Sequence, residues 1–90
     1  MAVIYVDHAR IQLGRMKMSH MMADSSDELR DAAIMLRIDP RHIQHLGTPQ
    51  EHLDVCESKR QIALANGAKA VTSRELVEMR RLRRGSRPAS

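Results

Sequence analysis

The chain has 90 residues and a formal charge of +4 at neutral pH, a length that suits one domain and excludes two. With no Phe, no Trp, one Tyr and seven Met, the core is expected to be soft, and the small size favours a homodimer. One cysteine excludes an internal disulfide, no signal-peptide pattern is present, and no apolar run reaches the ~18 residues of a membrane span, so we expect a cytoplasmic protein that does not bind membranes.

The basic character lies at the C-terminal end. Residues 80–90 carry five arginines and no acidic residue, so the rest of the chain is close to neutral. We predict a single α/β domain over residues 1–84 and a disordered basic tail over residues 85–90. Loose attraction of this tail to nucleic acid is the alternative to plain solvation, although no aromatic residues are interleaved with the arginines for base stacking.

In chain order, the first predicted element is a buried strand in the apolar run of residues 1–6, which ends at Asp7. Residues 8–24 have weak periodicity and are predicted to form a long loop. A helix follows over residues 26–38, because Ser25 and Glu28 have the capping-box spacing and apolar residues recur with helical period.

The second half contains two more strand-helix pairs. Residues 42–46 form a weaker predicted strand, and Asp54 is predicted to cap a helix over residues 55–66, which stops at Asn66-Gly67. Residues 68–71 form a third strand, and a third helix over residues 73–84 begins after a capping box of Thr72 and Glu75.

This order predicts a small α/β fold with a three-stranded, mainly parallel sheet in β-α-β-α-β-α order and a long loop after the first strand. Ligands of such sheets bind outside the carboxyl ends of the strands. The strand ends therefore define the expected site.

Acidic, imidazole and cationic side chains collect at those predicted junctions. Asp7 follows the first strand, where a carboxylate is a frequent catalytic or metal position. His52 and Asp54 precede the second helix, as an oriented base or as two metal ligands, although the simplest role for Asp54 is helix capping. His20 is expected to fold over the pocket from the long loop. The expected ligand-binding residues are the basic or acidic neighbours Arg10, Asp24, Lys59 and Arg60.

A metal ion is one open possibility for this site. Mg²⁺ or Mn²⁺ prefers clustered carboxylates, which Asp7, Asp24 and Asp54 supply if the fold gathers them. Cys56 lies beside a predicted helix start, where thiol pKa values fall, but without a fixed partner it is interpreted as structural.

A spaced set of short motifs resembles a family of short bacterial and phage proteins of unknown function. The matching segments are Tyr5-Val6-Asp7, Ser19-His20-Met21 with Asp24, His52-Leu53-Asp54-Val55, Ser58-Lys59-Arg60 and Gly67-Ala68. The resemblance covers residues 3 to 76. It implies a prokaryotic or phage origin, hence host cytoplasm if phage-encoded, and it implies no activity. The family carries a second Asp where this chain has His8, and aromatic residues at positions such as Met18 and Leu53.

Two function classes stay open on this basis. In the first, the protein is a hydrolase or nuclease that acts on a phosphate ester or nucleotide, with Asp7, His20, His52 and Asp54 as catalytic residues and Lys59 holding phosphate. In the second, it is a non-catalytic module that binds an anion or nucleotide, or an interaction protein acting on a host protein. The partners considered are accordingly a phosphate-bearing small molecule, nucleic acid, a host protein and a second copy of the chain.

Overall fold

The computed structural model describes residues 3–9 and 11–86. Five strands and three α-helices make up the described chain. They are β1 (Ile4–Val6), β2 (Ile11–Leu13), β3 (Met16–Ala23), α1 (Ser26–Met35), β4 (Leu53–Cys56), α2 (Glu57–Ala65), β5 (Lys69–Ala70) and α3 (Ser73–Ser86), with a short 3₁₀ helix at Pro40–His42 between α1 and β4.

The sheet is mixed and mostly antiparallel. Strand β3 is its centre: β4 pairs antiparallel along one edge, and β2 and β1 pair antiparallel along the other. Only β5 is parallel to its neighbour, β1. The α/β class is therefore confirmed, whereas the prediction of a three-stranded, mainly parallel sheet is wrong.

Most of the predicted loop over residues 8–24 is a hairpin of β2 and β3. Leu13 pairs with Met16, so the hairpin turns over two residues, and Gly14 takes the positive φ of 62° that such turns require. The alternation of β3 is hidden in the sequence because Met21, Met22 and Ala23 are all buried. Consecutive burial occurs where both faces of a strand are covered, and it removes the period-two signal.

Helices cover both faces of the sheet. On one face, Met21, Leu53 and Val55 pack with the apolar stripe of α1 and with Ala63 of α2. On the other face, Met22 packs with Leu76 of α3. Met21 and Met22 are fully buried in these two clusters, whereas Met16, at the start of β3, is 50% exposed.

The segment between α1 and β4 contains no regular strand, so the prediction of one over residues 42–46 is wrong. Gln44 makes a single antiparallel bridge with His52. The side chains of residues 44–46 are exposed, so a strand there would have no buried face to stabilise it. Helix α1 also stops before the predicted residue 38, since Arg37 takes a positive φ of 60°.

Asp54 lies inside β4 and does not cap α2, contrary to prediction. Cys56 occupies the N-cap position instead. Burial of Leu53 and Val55 on the core face favours the extended conformation, and it turns Asp54 to the opposite face.

The third predicted strand and helix agree closely with the structure. Thr72 and Glu75 make the reciprocal capping box, and Asn66 caps the end of α2, followed by Gly67 with φ 98°. Helix α3 continues to Ser86, so the first two residues of the predicted tail are helical, and residues 87–90 lie outside the described chain. None of the helices in the described chain has the length and apolar character needed to cross a membrane.

Candidate functional site

His20 and Asp54 face each other across two strands. They are direct partners in the register of β3 and β4, so both side chains emerge on one face of the sheet. His52 precedes Asp54 by two residues and emerges on that face as well. The rings of His20 and His52 meet edge to face, with centroids 5.4 Å apart.

Asp7 orients the ring of His20. Its Oδ1 accepts hydrogen bonds from the backbone N–H groups of His20 (2.8 Å) and Ala9 (3.1 Å). Its Oδ2 lies 2.7 Å from His20 Nδ1. A carboxylate accepts, so Nδ1 carries the hydrogen, and the lone pair of neutral His20 is on Nε2, which faces Asp54. Asp7 is 1% exposed, so this contact is protected from water.

A backbone carbonyl orients His52 in the same sense. The carbonyl oxygen of Gln50 lies 2.8 Å from His52 Nδ1. Since a carbonyl only accepts, Nδ1 donates, and the lone pair of neutral His52 is on Nε2. Burial lowers the pKa of His52, against an opposing effect of the Gln50 hydrogen bond and the Asp54 charge. His52 therefore resists protonation, as a metal ligand must.

Asp54 completes a triad of donor atoms with the two histidines. Its Oδ2 accepts a hydrogen bond from Gln44 Nε2 at 2.9 Å. Its Oδ1 lies 3.6 Å from His52 Nε2 and 4.0 Å from His20 Nε2. The three potential ligand atoms lie within 4.8 Å of one another.

These separations are close to those around a bound metal ion. Donors on a tetrahedral zinc ion are about 3.3 Å apart, given bonds of about 2.0–2.1 Å. A small inward shift of the side chains would therefore close the site. Two imidazoles and one carboxylate form a ligand set suited to Zn²⁺ and to other first-row divalent ions.

Arg60 is buried behind Asp7 and fixes the strand end that carries it. The side chain is 5% exposed. Its Nε donates to the carbonyl oxygen of Asp7 at 3.0 Å, and its Nη2 lies 2.7 Å from Nδ1 of His8, which accepts. Arg60 therefore acts on the site through Asp7 and not by direct contact with a ligand.

A cleft of about 370 Å³ opens beside Asp54. Its wall includes the apolar side chains of Met16, Met18 and Ile38. Lys59, from the first turns of α2, lies on the same cleft and adds a positive charge. A substrate with an anionic group and an apolar group suits this lining.

The sequence-based site residues divide into three groups. Asp7, His20, His52 and Asp54 form one connected set of contacts, although they meet on a sheet face and not at the carboxyl edge of a parallel sheet. His20 lies in β3 and is not a loop lid. Lys59 shares the cleft with Asp54, and Arg60 supports Asp7.

The other two expected ligand-binding residues are not part of this set. Asp24 lies beyond the end of β3 and accepts a hydrogen bond from Tyr5 Oη at 3.1 Å. Arg10 falls outside the described residues. Sequence reasoning missed Gln44 and the carbonyl of Gln50, because only the bridge between Gln44 and His52 brings these polar groups to the triad.

The comparison with protein families agrees with this assembly of motifs. The family described as "Protein of unknown function (DUF4031)" matches residues 4–83. The chain belongs to this family. The match covers every residue of the triad and its supporting contacts. No curated protein and no solved structure matches the chain significantly.

Proposed function

We propose that the protein is a metal-dependent hydrolase of phosphate esters, in which His20, His52 and Asp54 hold one divalent ion. The observation that carries the proposal is the convergence of two Nε2 atoms and one carboxylate oxygen within 4.8 Å of one another. Hydrogen bonds to both Nδ1 atoms already fix the ring orientations that ligation requires. Hydrogen-bonded carboxylates and carbonyls support metal-bound histidines in the same way in known sites.

Three protein ligands leave a coordination position open, which is typical of catalytic and not of structural sites. A bound zinc ion would lower the pKa of a water molecule there to about 7 and would stabilise negative charge on an oxyanion. In the reaction, the water oxygen would form a new P–O bond, the P–O bond to the alcohol group would break, and the proton lost by the water would pass to the alcohol oxygen. The protein side chains orient the ion and hold the ester.

The charge balance supports an anionic substrate. Two neutral imidazoles and one carboxylate leave a divalent ion with a net charge of +1, and Lys59 adds a cation on the adjoining cleft. The apolar wall of the cleft suits the organic part of the ester. We therefore favour a phosphodiester, or a monoester with an apolar group, over a neutral substrate.

Metal binding is tested first with Co²⁺, whose visible absorption reports its ligands. We expect one ion per chain for the wild type, and loss of the absorption band for His52→Ala and Asp54→Ala. His42→Ala is the matched control, because His42 is an exposed histidine outside the triad. If His52→Ala and Asp54→Ala bind Co²⁺ as well as the wild type does, the triad is a structural contact and the proposal is wrong.

Hydrolysis is tested with bis(p-nitrophenyl) phosphate, with p-nitrophenyl acetate as the carboxylic-ester comparison. We expect metal-dependent release of p-nitrophenol from the phosphate, and a raised KM for Lys59→Ala. Metal binding without hydrolysis of either ester would instead favour the non-catalytic alternative, a binding or interaction module.

A further inference from the structure

The guanidinium group of Arg80 contains two buried donors that have no acceptor. Atoms Nε and Nη2 are shielded from solvent and make no hydrogen bond in the described part of the chain. Residues 1, 2, 10 and 87–90, which are not described, include no Asp or Glu. Buried donors are almost always paired, and a guanidinium stays ionised in proteins. The two unpaired N–H donors of Arg80 therefore indicate a ligand that accepts their hydrogen bonds.

The two unpaired donors lie on the same edge of the guanidinium plane. Nε–H and one Nη2–H point in parallel and form a fork that matches two oxygens of a phosphate or carboxylate. One unpaired donor alone would not select a ligand with two acceptor oxygens. The arrangement is specific for an oxyanion that accepts two parallel bonds.

Helix α3 packs on the face of the sheet that holds the triad. Arg80 lies one turn beyond Leu76, on the same side of the helix. Leu76 is 2% exposed and packs with Met22, and Met22 and His20 lie on the same face of β3. Arg80 also shares a cleft of about 270 Å³ with Gln50, whose carbonyl oxygen orients His52.

The charges on this face would favour an anion once a metal is bound. The positive charge of Arg80 is near enough to contribute to the lowered pKa of His52. A divalent ion at the triad and a guanidinium on the same face would repel each other, and an oxyanion between them would offset that repulsion. Arg81, the other arginine of this cleft, is already bound to Glu78 at 2.9 Å.

We infer that the Nε–Nη2 edge of Arg80 is an oxyanion subsite that binds the phosphoryl group of the substrate beside the metal triad. The identity of the anion as substrate rests on the proposed function, whereas binding of the anion does not. In the reaction, Arg80 would hold two non-bridging phosphate oxygens and stabilise the negative charge that grows on them in the transition state.

The test is titration of the full-length, metal-free protein with inorganic phosphate by calorimetry. We expect Arg80→Gln to weaken phosphate binding about 10- to 100-fold, as the loss of charged hydrogen bonds implies. Arg80→Lys should restore little, because an ammonium has no fork. Arg74→Gln is the matched control: it removes an exposed arginine from the same helix and should leave binding nearly unchanged. Acetate should bind more weakly than phosphate does.

Equal losses in Arg80→Gln and Arg74→Gln would mean that phosphate senses only general positive charge, and would overturn the inference. Thermal unfolding and Co²⁺ absorption of Arg80→Gln check that the fold and triad are intact. Failure of the two proposals is distinguishable. If Arg80→Gln hydrolyses bis(p-nitrophenyl) phosphate with unchanged KM and kcat, the subsite is wrong and the hydrolase stands. If phosphate binding depends on Arg80 but no ester is hydrolysed, the subsite stands and the hydrolase is wrong.

Discussion

Asp7 shows how one buried carboxylate organises several parts of the site. Its carboxylate accepts a hydrogen bond from the N–H of Ala9, just after β1, and another from the N–H of His20 in β3. It also contacts Nδ1 of His20 and so orients the ring. A residue that a sequence analysis would place in direct contact with substrate therefore acts here as a positioning residue. We therefore expect a substitution of Asp7 to change the affinity for the metal ion, and to change the hydrolysis rate only through that affinity.

We predict that Asp7→Asn weakens divalent metal binding by roughly 10- to 100-fold, which is the usual effect of losing such a supporting contact. The amide no longer fixes the hydrogen on His20 Nδ1, because it offers both a donor and an acceptor. Competition with a chromogenic chelator measures the affinity. Asp24→Asn makes the same change at an exposed carboxylate outside the triad and should have no comparable effect. An unchanged affinity for Asp7→Asn would remove Asp7 from the site.

His52 provides a prediction about pH. Burial makes the pKa of His52 lower in the folded protein than the value of about 6.5 expected for the unfolded chain. As pH falls through 6.5, the unfolded chain binds the proton first, so the metal-free protein loses stability until His52 is protonated in the folded state too.

Nitrogen-proton correlation spectra of the metal-free protein should show His52 as the Nδ1–H tautomer, with a pKa below 6.5. Urea unfolding between pH 5 and pH 7 should show a smaller loss of stability for His52→Gln than for the wild type. A His52 pKa at or above 6.5 would contradict the prediction.

At the scale of elements, Glu51 anchors the segment that carries Gln44 and His52. It is 1% exposed. Its Oε2 accepts hydrogen bonds from the hydroxyl of Ser26, at the start of α1, and from the N–H of Gly47 at 2.8 Å. Glu51 and the bridge between Gln44 and His52 therefore help to hold the irregular segment between α1 and β4, which has no regular strand.

We predict that Glu51→Ala destabilises the fold by about 2–4 kcal/mol, because it empties a buried position and removes an acceptor of two hydrogen bonds. Chemical denaturation measures the loss. Glu78→Ala, which breaks an exposed ion pair with Arg81, should cost less than about 1 kcal/mol. A loss for Glu51→Ala as small as that of Glu78→Ala would mean that the segment is held by other contacts.

At the scale of the whole molecule, the sheet has an uncovered edge. No strand among the described residues pairs with the outer edge of β2. Ile11 is 45% exposed there, and Met16 at the other end of the hairpin is 50% exposed. Edge strands with exposed apolar residues are sites of strand addition.

The homodimer stays a prediction, and this hairpin is where we expect it to form. Light scattering after gel filtration should give twice the mass of the chain, and Met16→Lys should shift the protein toward monomer. Leu46→Lys is the control, since Leu46 is equally exposed but lies in the segment between α1 and β4. A monomeric wild type at high concentration would refute the prediction.

The sequence by itself determined the elements whose signals are local. Capping residues located the starts of α1 and α3, and Asn66-Gly67 located the end of α2, although its predicted cap, Asp54, lies in β4. Short apolar runs located β1 and β5. Such signals depend only on residues that are close in the sequence, so they can be recognised without knowing the fold. The spaced motifs also selected Asp7, His20, His52 and Asp54 as one set, together with Lys59 and with Asp24, which lies outside the site.

Only the tertiary structure decided how that set is used. The pairing of β3 with β4 places His20 opposite Asp54, although 34 positions separate them in the chain. The strand pattern of β3 was hidden because helices cover both faces, and Arg80 looked like part of a solvated basic end. Register, two-sided burial and an unsatisfied buried donor all depend on contacts between distant segments. No local pattern encodes them, and they bring together the residues of the metal site and the oxyanion subsite that we propose.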